Sequence, residues 1–261
     1  MKNTKNNELA VCGFSAVKTL EKLNGEKIRR LYFTKERAPL FGGLCKKLAA
    51  TKRPYNQVEN SQELEKLCGS VHHQGVVAMI EMPEITALNT SITTNWVETK
   101  QNAVLLDHIG NANNFGAIVR SAAFFGIKNI ILPIDESQTS ITTSTYRIAE
   151  GGMEFVNIYS VKSIPKLLAD MKQKMMIVGS SLNAQEPCNN LKTYTKNKPV
   201  LLILGNEENG ISKETASYCE HLVIIPFFGM NQGEKSAPKV DSLNVAQAAT
   251  VLFYELQGGS K

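Results

Sequence analysis

Three short segments carry the residue types that do chemistry. The first, residues 108–126, reads HIGNANNFGAIVRSAAFFG: amides and glycines, then an apolar run broken by one arginine, Arg120. A lone arginine in an Ala/Ile/Val/Phe helix is either a snorkelling surface residue or a functional cation. Asn114 is placed to cap that helix, because its side chain can accept a first-turn amide hydrogen. The second segment, 205–212, reads GNEENGIS directly after the apolar run PVLLIL. A glycine, an amide and a carboxylate there make a tight turn with close backbone access. Glu207 on its own reads better as an ordinary carboxylate approaching a helix. The third follows LVIIP (222–226): a loop FFGMNQGEKSAPKVD, then SLNVAQAATVLFYEL. Ser242 reads as the cap of the closing helix. Asn244 in its first turn is harder to excuse as structure, since Asn is a poor helix former.

The elements that must position these segments follow from apolar periodicity. Residues 103–107, 129–133, 154–159, 175–179, 199–204 and 222–226 read as strands, several of them almost continuously apolar. Helical patterns over 114–125, 142–150, 164–172, 212–219 and 245–256 lie between and after them. That alternation predicts an α/β fold with a parallel sheet covered on both faces. In such sheets ligands bind beyond the carboxyl ends of the strands, where all three segments fall. No GxGxxG is present, and Gly110 with Gly116 has the wrong spacing for a dinucleotide fingerprint.

Upstream, 10–23 and 40–50 read as helices, 28–33, 55–58 and 75–82 as strands, and Ser61 as the start of a short helix. This predicts a small α/β domain over 8–82. Residues 83–101, rich in Thr and Asn and without a sustained apolar period, read as a linker with a helical turn near Trp96. The remaining domain is 102–261.

Composition sets outer limits. The 261 residues are 20% charged and 43% hydrophobic, as in a soluble globular protein. A net charge of +5 permits a polyanionic partner without demanding one. The apolar runs are too short to span a bilayer. The opening MKNTKNNELA has no apolar h-region or cleavage site, so a cytoplasmic location is expected. Five scattered cysteines lack metal-ligand or CxxC spacing and suit a reducing compartment. His72 and His73 are adjacent, so they cannot both face one ion from a strand, and no metal is expected.

Taken together, the three segments resemble the signature motifs of the SpoU family of RNA 2′-O-ribose methyltransferases. Asn111, Asn114, Gly116, Ala117, Ile118, Arg120, Ser121 and Ala122 fit the first; Gly205, Glu207 and Gly210 fit the second; Ile225, Pro226 and Ser242–Val245 fit the third. HHQGVVAMI (72–80) resembles the close of the substrate-binding domain found in many members. The resemblance implies a parallel-sheet catalytic domain with a deep C-terminal trefoil knot, a homodimer, an RNA substrate (rRNA or tRNA) and the cofactor S-adenosylmethionine. It implies Ser180, Gly205, Asn206, Ile225 and Leu243 as cofactor contacts. Arg120 becomes the central catalytic residue, with Asn114 orienting the ribose and Glu207, Ser242 and Asn244 holding Arg120 or the substrate. Two departures stand out: Ala112 replaces the usual proline, and the loop between Gly229 and Asp241, with Lys235 and Lys239, is long. The competing readings are an RNA-binding or ribosome-assembly protein that has lost catalysis, and a small-molecule methyltransferase. A separate docking domain disfavours the second.

Overall fold

A computed structural model describes residues 2–3, 7–134, 140–194, 198–206, 208–227 and 242–258. Glu207 and the loop between Gly229 and Asp241 lie outside the described residues. The chain divides into two compact units. The first comprises Met1–Glu84, Phe115–Arg120 and Ser140–Phe155; the second comprises Ile85–Asn114, Ser121–Thr139 and Val156–Lys261.

The first unit holds β1 (Lys2–Asn3), β2 (Glu8–Cys12), α1 (Phe14–Asn24), β3 (Ile28–Phe33), α2 (Gly42–Ala50), β4 (Tyr55–Gln57), α3 (Ser61–Cys68) and β5 (Val76–Glu81). Its five-stranded sheet runs β1-β2-β5-β3-β4. β5 pairs antiparallel with both β2 and β3, while β4 joins β3 in parallel. Residues 10–12, expected to be helical, are the end of β2, and the helix starts only at Phe14. All five residues of β2 are buried. A short apolar run looks alike in a buried strand and in a helix, and pairing with β5 decides it. α3 follows the expected signals: Asn60 accepts from Glu63 N, and Gly69 ends the helix in the left-handed region.

The second sheet is eight-stranded, in the order β11-β13-β10-β12-β7-β8-β9-β6. Its strands are β6 (Thr86–Ala87), β7 (Ala103–Leu106), β8 (Asn129–Pro133), β9 (Asn157–Val161), β10 (Met176–Ser180), β11 (Glu186–Pro187), β12 (Val200–Leu204) and β13 (His221–Ile224). Every pairing among its described residues is parallel. The remaining helices of the chain are α4 (Thr90–Glu98), α5 (Ala112–Phe124), α6 (Thr143–Ala149), α7 (Ile164–Met171), α8 (Leu191–Tyr194), α9 (Lys213–Tyr218) and α10 (Val245–Leu256), of which α6 and residues 115–120 of α5 belong to the first unit. β7, β8 and β12 are buried throughout. Each large apolar side chain so buried contributes about 1.5–3 kcal/mol, which is why their sequences read as near-continuous apolar runs.

Of the stretch 83–101, expected to be a linker, residues 85–101 are part of this unit. β6 pairs with β9, and Asn89 caps α4 by accepting from Ile92 N. Trp96 is 2% exposed and belongs to the core with Leu105, Ile131 and Leu168. Thr-rich sequence is a weak helix former, but tertiary burial of Ile92, Trp96 and Val97 overrides that preference. The strand expected over 154–159 begins later, at Asn157, because Gly152–Glu154 forms a 3₁₀ turn.

Candidate active site

β13, β10, β12 and β7 are successive neighbours in the second sheet. Ser180 ends β10, Gly205 and Asn206 follow β12, and Ile225 follows β13. Parallel registry brings these positions to one edge: Ser180 pairs with Val223, and Gly179 with Ile203. The expected cofactor contacts therefore lie side by side at the carboxyl ends of adjacent strands. Leu243, just before α10, is 46% exposed.

Gly205 has no room for a side chain. A Cβ there would meet Gly210 C at 2.2 Å and Ile211 N at 2.3 Å. The following loop turns straight back, with Asn206 N donating to Gly210 O (3.1 Å) and Gly210 N donating to Asn206 O (2.9 Å). The Asn206 side chain locks this turn: Oδ1 accepts from Glu208 N and Asn209 N, and Nδ2 donates to His108 O at 2.9 Å. Asn206 thus shapes the loop through both its backbone and its side chain.

Around α5 the caps differ from expectation. Asn111, not Asn114, is the N-cap, accepting from Asn113 N (2.8 Å) and Asn114 N (3.4 Å). Asn114, inside the first turn, accepts from Asn244 Nδ2 at 3.1 Å. Asn244, not Ser242, caps α10 by accepting from Ala246 N at 2.9 Å. This explains an Asn at the start of a helix: it is the cap, where Asn is among the best residues. Ser242 is exposed beside it. The structure therefore joins Asn114 to Asn244. Arg120 is 57% exposed, and its ion pair among the described residues is with Glu150, Nη2 to Oε2 3.1 Å.

Two family models cover most of the chain. The SpoU rRNA Methylase family model matches residues 101–254, and the model for RNA 2′-O ribose methyltransferase substrate binding matches 10–86. The chain belongs to the SpoU family. It is similar to the 23S rRNA (guanosine-2′-O-)-methyltransferase RlmB of Acinetobacter baylyi, at 30% identity over 93% of this chain and 94% of that protein. It is also similar to the RlmB of Nitrosomonas europaea, at 24% over 94% and 89%. Among solved structures, an rRNA methyltransferase from Sinorhizobium meliloti matches with a TM-score of 0.73 and 21% identity over 98% of this chain and 89% of that one. The SpoU methyltransferase AviRb from Streptomyces viridochromogenes, crystallised with AdoMet, matches at 0.69 and 22% over 97% and 91%. These structural likenesses concern the fold. The SpoU chain is an S-adenosylmethionine-dependent RNA 2′-O-ribose methyltransferase.

The strand ends suit that cofactor. Gly205 carries no side chain and has no room for one, so a ligand approaching the end of β12 meets backbone there. Exposed Leu182, Phe227 and Leu243 supply apolar surface beside the ends of β10 and β13 and before α10, which suits a planar ring. Among the described residues, no helix is long and apolar enough to cross a membrane.

Sequence reasoning missed two residues that contact or adjoin the motif segments. Asp107, directly after β7, is buried and pairs with His108 Nδ1, and its other oxygen accepts from Thr215 Oγ1 at 3.2 Å. His108 itself sits in the left-handed region (φ 61). A carboxylate closing a buried apolar strand was the signal available. The second is Glu150, whose sequence context, TYRIAEGG, holds nothing to distinguish it. The His72–His73 pair resolves structurally: His73 is buried, and its Nδ1 accepts from Gly75 N at 3.0 Å.

Proposed function

We propose that this chain methylates a ribose 2′-hydroxyl in 23S-type ribosomal RNA, as a cytoplasmic homodimer. The observation that carries the choice of RNA is the joint match of both modules to a relative named for 23S rRNA across nearly its whole length. In this reading residues 8–82 dock the RNA, 102–261 carry catalysis, and the C-terminal part of the second unit forms the trefoil knot. Packing of α10 against α8 and the turn before it supports the knot. Exposed Phe124, 82% accessible on α5, and Tyr254 on α10 support a dimer through those two helices.

S-adenosylmethionine, held at the ends of β10, β12 and β13 by Ser180, Gly205, Asn206, Ile225 and Leu243, supplies a methyl group already activated on a sulfonium. The 2′-hydroxyl is a weak nucleophile, so the protein's own work is alignment and charge management. Arg120 stays protonated, which suits it to gripping the neighbouring phosphate and polarising the hydroxyl rather than removing a proton as a free base. Asn114, fixed by Asn244, orients the ribose. For Glu207 and Ser242 the family resemblance implies a role in holding the substrate.

The test is tritium transfer from labelled S-adenosylmethionine to unmodified 23S rRNA and tRNA transcripts, followed by mapping of the modified ribose. Arg120→Ala should lower turnover about a hundredfold or more, the scale of losing one charge-stabilising group, with melting temperature and cofactor binding retained. Near-normal turnover in that variant would sink the assignment. Label in tRNA alone would replace the ribosomal substrate. No transfer despite cofactor and RNA binding would favour a silent assembly factor.

A further inference from the structure

Gly116 and Arg120 lie one turn apart on the same face of α5. A Cβ on Gly116 would meet Thr145 O at 2.8 Å and Ile148 Cβ at 2.9 Å. α6 therefore lies against α5 at a separation that only glycine permits. This approach delivers the C-terminal end of α6 to Arg120. Glu150, the C-cap of α6, adopts the left-handed conformation (φ 46), a position that glycine or asparagine usually fills. It places a carboxylate 3.1 Å from the Arg120 guanidinium.

The last turn of α6 also carries Arg147. Arg120, Arg147 and Glu150 line a cavity of about 270 Å³ together with His72, Gln74 and Ser15, all within the first unit. Two guanidinium groups there face one carboxylate. Arg147 makes no side-chain hydrogen bond or ion pair among the described residues, although it is half-buried. The cavity thus holds one positive charge in excess, with polar groups around it. The Arg120–Glu150 pair is about half exposed on both sides, and such pairs are weak and easily exchanged. A phosphate oxygen offers the same guanidinium a bidentate partner.

We propose that Arg120 and Arg147 together grip one RNA phosphodiester in this cavity, and that Glu150 holds Arg120 in position until the phosphate displaces it. The proposal rests on the reading of Arg120 as the residue that meets RNA. It adds Arg147 as a second binding cation and Glu150 as a positioning residue. No covalent step is involved: one anion replaces another.

The experiment measures filter binding of unmodified 23S rRNA transcript to the full chain across a series of KCl concentrations. Arg147→Gln should weaken binding about tenfold and reduce the slope of log Kd against log salt by about 0.7–0.9, the loss of one phosphate contact. Arg147→Lys, which keeps the charge, should restore most of that slope. Glu150→Gln should tighten binding about threefold and, in methyl-transfer assays, lower KM for RNA more than it changes kcat. Lys174→Gln, an exposed charge on the turn before β10, should change binding by less than about twofold. Unchanged affinity and slope in Arg147→Gln with an intact melting curve would overturn the clamp, as would weaker binding by Glu150→Gln or no RNA binding by the unmutated chain. If the unmutated chain binds RNA and the variants shift as expected, yet no methyl is transferred, the clamp stands and the methyl-transfer assignment falls.

Discussion

Asn114 Oδ1 accepts a hydrogen bond from Asn244 Nδ2 at 3.1 Å, across 130 positions of sequence. One asparagine sits in the first turn of α5 and the other caps α10, so the starts of two helices are tied together. A second tie lies further along the same pair, where the Ser121 and Thr250 hydroxyls are 2.7 Å apart. Losing a helix cap of this kind costs about 0.5–2 kcal/mol. A neutral hydrogen bond contributes about 0.5–1.5 kcal/mol. Asn244→Ala should therefore destabilise more than Asn114→Ala. The double variant should fall short of the sum by about 0.5–1.5 kcal/mol, measured by urea unfolding. Strict additivity would show that the contact contributes nothing in solution.

Gly205→Ala tests whether the turn after β12 is shaped by lack of space. The added Cβ would fall 2.2 Å from Gly210 C, a backbone atom, so the loop itself must move. Overpacking of this sort costs about 1–3 kcal/mol. S-adenosylmethionine affinity by calorimetry should drop at least about tenfold, a distortion cost of about 1.4 kcal/mol. Wild-type affinity in a folded variant would show that the turn does not shape the cofactor site.

His73 gives a pH signature to the first unit. Burial holds its imidazole below the ordinary histidine range, with Glu65 acting weakly in the opposite sense. Its Nδ1 also accepts from Gly75 N, a bond that protonation of that nitrogen would remove. A folded-state pKa below the unfolded one means that the stabilisation is fully present above about pH 6.5, the unfolded value. It is lost as pH falls through the folded-state value. The melting temperature should therefore fall between about pH 7.5 and 5.5 more steeply in the unmutated chain than in His73→Gln. Equal slopes would remove His73 as the cause.

Phe124 is 82% exposed on α5, beside Phe125 at 5.1 Å between ring centroids, and Phe125 in turn meets Tyr254 at 6.2 Å. A large aromatic that open to water costs free energy unless something covers it. With a second copy as the cover, Phe124→Asp should sediment as a folded monomer where the unmutated chain sediments as a dimer. An unchanged sedimentation coefficient would place the interface elsewhere.

What could be read in advance followed a physical rule. Buried parallel strands are apolar on both faces, so β7, β8, β10 and β12 announce themselves as AVLL, NIILP, MIVGS and VLLIL. Ligands in such a sheet are expected beyond the carboxyl ends of the strands, so the post-strand positions of Gly205, Ile225 and the segment following Leu106 could be located by counting. Short or half-polar elements could not. β6 is two exposed residues held by pairing with β9, and α4 is one-third threonine and held by burial of Trp96 in the second unit.

The family, the chemistry and the positions of Arg120, Asn114 and Asn244 were set by the linear sequence, because motif order and strand periodicity are local properties of the chain. Partnership was decided only in three dimensions. That Asn111 and Asn244 are the caps, that Asn114 meets Asn244, and that Arg120 faces Glu150 depend on how closely α6 approaches Gly116 and on where α10 begins. Hydrogen bonds and ion pairs require atoms within about 3 Å, and residues distant in sequence reach that range only when packing brings their helices together.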